Sequence, residues 1–154
     1  MYDVVALGEL LIDFTTQATD PDGYPTMAAH PGGAPANFLA AIAKFGGKAA
    51  LLGKVGTDTF GKLLTDTLRK AGIETKGLVA SDEVFTTLAF VTLDENGDRE
   101  FAFARKPGAD TQLRFDELDL SIIDEARVFH FGTLSLTDEP ARSATRAAVE
   151  YAKQ

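Results

Sequence analysis

Two adjacent glycines and a proline at the mouth of a helix place the strongest constraint on this chain. In Pro31-Gly32-Gly33-Ala34-Pro35-Ala36-Asn37, no Cβ at the two glycines separates an approaching ligand from the backbone. Pro35 suits a first helical turn, where its missing N–H would have had no intrahelical partner. Asn37 falls in that turn, with a donor and an acceptor beside free backbone N–H groups. Upstream, a strand is read to end in Leu11-Ile12-Asp13. A carboxylate at a strand end and an amide at a helix start suit a polyol, because each can bind hydroxyls in pairs. Neither is a nucleophile.

Periodicity around this block alternates between strand and helix. Val4-Val5-Ala6-Leu7 is a short apolar run inside a strand over 3–8. A helix is expected over 34–45, ending at Gly46-Gly47, and a second strand over 49–55. A second helix over 59–71 would put Phe60, Leu63, Leu64 and Leu68 on one face and stop at Gly72. Such alternation argues for a parallel α/β sheet. The stretch 18–31 reads as a turn-rich loop. Two further strands, 86–93 and 99–105, are joined through Asp94-Glu95-Asn96-Gly97, a hairpin turn signal. Alternation sets Phe101, Phe103 and Arg105 on one face of the second strand. A core strand follows over 128–131, and then a helix from 140 with Ala141, Ala144, Ala148 and Tyr151 at helical spacing.

Composition narrows the function classes. A net charge of -8 argues against nucleic acid or an anionic membrane as partner. No apolar run approaches the length of a membrane span. The chain has no cysteine, so thiolate chemistry is excluded, and a cytoplasmic location is expected. Its two histidines lie far apart, which argues against a zinc site.

The block Gly32-Gly33-Ala34-Pro35-Ala36-Asn37, then Gly46-Gly47, then Gly53-Lys54-Val55-Gly56-Thr57-Asp58-Thr59-Phe60-Gly61, resembles the N-terminal signature of the ribokinase-like (PfkB) sugar kinases. The likeness extends over nearly the whole chain. Gly8-Glu9-Leu10-Leu11-Ile12-Asp13-Phe14, the segment from Phe101 to Asp110, and the segment from Val128 to Leu136 are similar to those of fructokinases within that family. The resemblance implies a three-layer α/β/α sandwich, truncated here, with a small β-sheet lid built from segments near 10–25 and 85–105. It implies transfer of phosphoryl from ATP to a sugar primary hydroxyl, with fructose to fructose 6-phosphate the leading assignment. Asp13, Gly32, Gly33 and Asn37 would bind the sugar. Phe103-Ala104-Arg105 is similar to an aromatic-x-Arg lid element of 2-keto-3-deoxygluconate kinases, so Phe103 would cover the sugar and Arg105 contact its oxygens. Phe101 is read as lid core or dimer contact, and His130 as a structural histidine. A homodimer through the lid is also implied.

Members of that family carry their catalytic aspartate in a Gly-Ala-Gly-Asp segment of the second half, which is not found here. Residues 1–154 are therefore read as the N-terminal portion of such a kinase. No catalytic residue or metal ligand is expected in it, and ATP and Mg2+ would be bound mainly by the missing half. Alone, this chain is expected to be inactive and prone to self-association. Three alternatives are weighed. The substrate could be 2-keto-3-deoxygluconate or a nucleoside; ribokinases of that family carry a sugar-binding carboxylate just after the strand similar to 128–131, and its absence over 132–136 weakens a ribose assignment. The chain could be a stand-alone sugar-binding module. Or Gly56-Thr57-Asp58-Thr59-Phe60-Gly61-Lys62-Leu63 could be a P-loop, since its spacing fits. Against that last reading, Leu63 replaces the Mg2+-binding hydroxyl, and Asp58 would put a negative charge in the phosphate cradle.

Overall fold

All four residues of β1 (Val4–Leu7) are buried, the mark of a strand covered on both faces. The computed structural model describes residues 1–93 and 98–154. After β1 come β2 (Leu11–Thr19), β3 (Pro25–Gly32), α1 (Ala34–Lys44), β4 (Ala49–Gly56), α2 (Thr59–Lys70), β5 (Ile73–Glu74) and β6 (Leu78–Ser81). The chain continues with β7 (Leu88–Leu93), β8 (Arg99–Ala104), α3 (Leu120–Asp124), β9 (Phe129–Phe131) and α4 (Ala141–Ala152).

The main sheet is parallel, in the order β5-β4-β1-β9. β5 pairs with the first residues of β4 and β6 with its last ones. Alternate residues of β1 divide between two cores. Val4 and Ala6 pack with Leu39 of α1 and with Leu64 and Leu68 of α2. Val5 and Leu7 pack on the other face with Ile122 and Ile123 of α3 and with Ala148 of α4. Helices on both sides of one parallel sheet make the three-layer sandwich expected for a ribokinase-like chain. All of β4 is buried as well, Lys54 included. A buried ammonium needs partners, and Lys54 Nζ donates to Glu117 Oε1 at 2.7 Å and to the Gln112 carbonyl at 3.0 Å.

A second, four-stranded sheet stands apart, in the order β3-β2-β7-β8. It is the small sheet expected as a lid, and it corrects two local expectations. The strand holding Asp13 does not end there: β2 starts at Leu11 and runs on to Thr19. The expected loop over 18–31 is mostly β3, antiparallel to β2. Its prolines are tolerated because β3 is an edge strand, with Pro25 as its first residue and Pro31 opposite Ile12. The turn is confined to the residues around Asp20, whose Oδ1 accepts from Asp22 N and Tyr24 N at 3.0 and 2.8 Å. The expected hairpin turn Asp94-Glu95-Asn96-Gly97 lies outside the described residues, although its flanking strands, β7 and β8, pair antiparallel.

On α2, Leu64 and Leu68 are buried as expected, but Leu63 is 42% exposed and stands off the apolar face. Phe60 packs against the same core as Leu64 and Leu68 and also reaches the second sheet. Its ring meets Phe14 edge-on at 5.6 Å, and Phe14 stacks on Phe90 at 5.4 Å. This aromatic column seats one face of the lid on α2.

Candidate sugar-binding site

In open parallel sheets, ligands gather beyond the carboxyl ends of the strands. Here that edge is where β1 gives way to the lid and α1 begins. Gly33, just before α1, has φ +113, a conformation that L side chains rarely adopt. A Cβ on it would stand 2.4 Å from the Glu9 carbonyl oxygen. Asn37 follows one turn later, its backbone N–H donating to Gly33 O at 2.9 Å and its side chain exposed.

Asp13 leans over this loop from β2. A Cβ at Gly32 would meet Asp13 Oδ2 at 2.1 Å and Asp13 Cγ at 2.8 Å. The carboxylate is half-buried and accepts no hydrogen bond from the described residues. Burial pushes its pKa up, and the nearby His30 acts in the opposite direction. Register carries the row across the lid: His30 lies opposite Asp13 on β3, Ala89 lies opposite Asp13 on β7, and Phe103 lies opposite Ala89 on β8. Phe103 therefore shares a lid face with Asp13. It is 49% exposed and stacks on Phe101, with centroids 6.2 Å apart. Phe101 is itself 54% exposed, so it is not lid core.

Arg105 departs from that row. β8 ends at Ala104, and the Arg105 side chain is only 10% exposed. Its Nε and Nη2 reach Asp110 Oδ2 at 2.9 and 2.8 Å. Nη2 also donates to Leu134 O at 3.0 Å, and Nη1 to Thr137 Oγ1 at 2.9 Å. Asp110 in turn accepts from the Thr87 hydroxyl. A guanidinium has five N–H donors, and these protein acceptors take up most of them. The expectation that Arg105 stands beside Phe101 and Phe103 is not met, because partners distant in sequence draw it into the body of the fold. His130 makes its contact through its ring, packed on Phe38 at 4.6 Å, and is half-buried.

Glu9 belongs to this site, although no role for it was read from the sequence. It is 4% exposed, and its Oε1 accepts from Ala34 N at 2.9 Å. The available signal was a charge within the apolar run Val4 to Ile12, since a charged group there must be buried and held.

The P-loop reading fails on geometry. Asp58 is the N-cap of α2, and its Oδ1 accepts from Phe60 N and Gly61 N at 2.9 and 3.1 Å. Its Oδ2 accepts from Thr86 N and Thr86 Oγ1 at 2.8 and 2.9 Å. The N–H groups that would cradle a phosphate already hold a carboxylate. Burial pushes Asp58 up, but these donors outweigh it and hold the carboxyl below its usual range. Among the described residues no group of three or more His, Asp or Glu side chains is placed to hold a metal ion. The loop over 56–63 is thus a capped helix start and not a phosphate cradle.

A family model described as pfkB family carbohydrate kinase matches residues 1–154. The chain belongs to the pfkB family of carbohydrate kinases. It is 47% identical over 153 residues to probable fructokinase-3 of Arabidopsis thaliana, an alignment covering 98% of this chain and 44% of that protein. It is 46% identical over 155 residues to fructokinase-2 of Oryza sativa subsp. japonica, covering 97% and 45%. The crystal structure of a fructokinase from Xylella fastidiosa superposes with a TM-score of 0.93 at 34% identity, covering 99% of this chain and 48% of that one. A putative ribokinase II from E. coli, solved in complex with ATP and Mg+2, superposes with a TM-score of 0.89 at 28% identity, covering 99% and 50%. The chain spans about half the length of the curated relatives it matches.

Proposed function

We propose that this chain is the sugar-recognising half of an ATP-dependent kinase that converts fructose to fructose 6-phosphate. The observation that carries the reading is the Asp13 carboxylate, half-buried over Gly32 with no hydrogen-bond donor from the described residues. A desolvated acceptor in that state suits a pair of sugar hydroxyls. Gly33 backbone and Asn37 would complete the polar lining, and Phe103 would cover an apolar face of the sugar. In this reading the residues present bind and orient, and phosphoryl transfer itself needs little more than positioning and charge neutralisation. ATP and Mg2+, the proton acceptor and the phosphate cradle are assigned to the remainder of the enzyme.

Arg105 favours a neutral sugar over a sugar acid such as 2-keto-3-deoxygluconate. Its guanidinium is already paired with Asp110 and hydrogen-bonded to Leu134 O and Thr137, so a substrate carboxylate would have to displace a buried partner. The stacked, exposed Phe101 and Phe103 support a homodimer formed through the lid. A cytoplasmic protein acting on small molecules fits the net charge of -8. No helix among the described residues is long and apolar enough to cross a membrane.

The test is ADP release by the full-length protein with fructose, ribose, a nucleoside and 2-keto-3-deoxygluconate as acceptors. Fructose is expected to lead by about tenfold or more in kcat/KM. A preference for the sugar acid would overturn the fructose assignment, and saturable sugar binding without turnover would favour the stand-alone binding module. A second check separates the site from the scaffold. Gly32→Ala would push the Asp13 carboxyl group aside and ask Leu11 Cδ1, 3.1 Å from the new Cβ, to give by a few tenths of an ångström, so fructose KM should rise about tenfold with a much smaller loss of stability. An unchanged KM would place the sugar away from this carboxylate.

A further inference from the structure

We infer that Glu9 is the positioning residue of the sugar-binding loop, an assignment that rests on the kinase reading above. Three contacts converge on the start of α1. The Glu9 carboxylate receives Ala34 N–H at 2.9 Å across 25 residues of sequence. The Glu9 carbonyl lies where any Cβ on Gly33 would fall, 2.4 Å away. Pro35 is wedged between the ends of β1 and β9: its Cγ would stand 2.5 Å from a Cβ on Gly8 and 2.6 Å from one on Gly132. The residue after Gly8 therefore locks, from the end of β1, both the left-handed turn at Gly33 and the first free N–H of the helix.

No residue of the turn does this locally. Gly33, at the N-cap, has no side chain to satisfy the free N–H groups, and the first turn of α1 contains no acid. Such groups need an acceptor when they are removed from water. Glu9 provides it, and its second oxygen, Oε2, is buried with no partner among the described residues, beside Gly132. A carboxylate kept in that state is costly. Burial pushes the Glu9 pKa up, opposed by the backbone N–H groups of Glu9 and Ala34; the neighbouring Asp110 adds to the rise and Arg105 opposes it. Burying an ionisable group there stabilises the fold poorly, whereas its contacts hold the Ala34 N–H and the Gly33 turn, to whose carbonyl the Asn37 N–H donates. That is the pattern of a group retained to position a site.

The experiment uses the full-length protein and has two arms. In the first, Glu9→Ala is expected to raise fructose KM about tenfold with ATP KM unchanged, and Glu9→Gln, which keeps a carbonyl acceptor for Ala34 N–H, to return it to within about threefold. In the second, hydrogen exchange at the Ala34 amide is expected to accelerate about tenfold or more in Glu9→Ala and to recover in Glu9→Gln. If Glu9→Ala does not fold, Glu9→Asp replaces it, since its shorter side chain loses reach to Ala34. Unchanged exchange and unchanged KM would overturn the assignment. So would a KM loss that glutamine fails to rescue, which would mean that the charge itself touches the sugar. Should the wild-type protein phosphorylate no fructose, the kinase reading falls, and the exchange arm still decides the role of Glu9.

Discussion

Arg105→Ala is expected to destabilise the protein by about 3–5 kcal/mol, the range for removing one partner of a buried ion pair. The basis is burial. The Arg105 and Asp110 side chains are 10% and 2% exposed, and without Arg105 the buried Asp110 carboxyl group would lose its ion-pair partner, with the Thr87 hydroxyl its remaining donor among the described residues. The same change unties the foot of the lid from the turn that holds Leu134 and Thr137. Chemical denaturation of the full-length protein measures the loss. Adding Asp110→Asn to Arg105→Ala should restore part of the stability, because it removes the unpaired acid. This outcome differs from the one the aromatic-x-Arg resemblance implies, in which Arg105 touches the substrate and its loss leaves the fold intact. Normal stability with a raised fructose KM would show that Arg105 is a sugar contact.

Asp13→Asn is expected to lower kcat/KM for fructose about ten- to a hundred-fold, the range for a buried charge-assisted hydrogen bond of about 1.5–3 kcal/mol. The effect should also depend on pH. Accepting hydroxyl protons requires the ionised carboxylate, and burial raises the Asp13 pKa above its ordinary value. The ionised form is lost as pH falls through that raised pKa. The acid limb of kcat/KM should therefore begin above the usual aspartate value of about 3.9, and Asp13→Asn should remove it. An unchanged kcat/KM would remove Asp13 from the site.

The parts of the site legible in the sequence are those set by local chemistry. The Gly-Gly-x-Pro block announced the turn and the start of α1, because a missing Cβ and a proline act on their own backbone. β1 was legible as a continuous apolar run, since burial on both faces leaves no alternation. β3 was not, because an edge strand tolerates Pro25 and Pro31 and is recognisable only through its pairing with β2. Alternation placed Phe103 correctly on the Phe101 face but misplaced Arg105. That rule holds only while the strand lasts, and β8 stops at Ala104, one residue before Arg105. The partners that then capture Arg105 come from Asp110 and from Leu134 and Thr137, beyond the reach of any local pattern. Glu9 stood out as a charge in an apolar run, but its acceptor role depends on Ala34, which only the folded chain brings to it.

The most direct test of the account is the structure of the full-length protein with fructose bound. The account predicts sugar hydroxyls about 2.5–3.0 Å from the Asp13 carboxylate oxygens. It also predicts the ring lying against Gly32 and Gly33, with Asn37 and Phe103 at its sides. Fructose bound elsewhere, or bound here with Asp13 turned away and Arg105 released from Asp110 to meet it, would contradict the account.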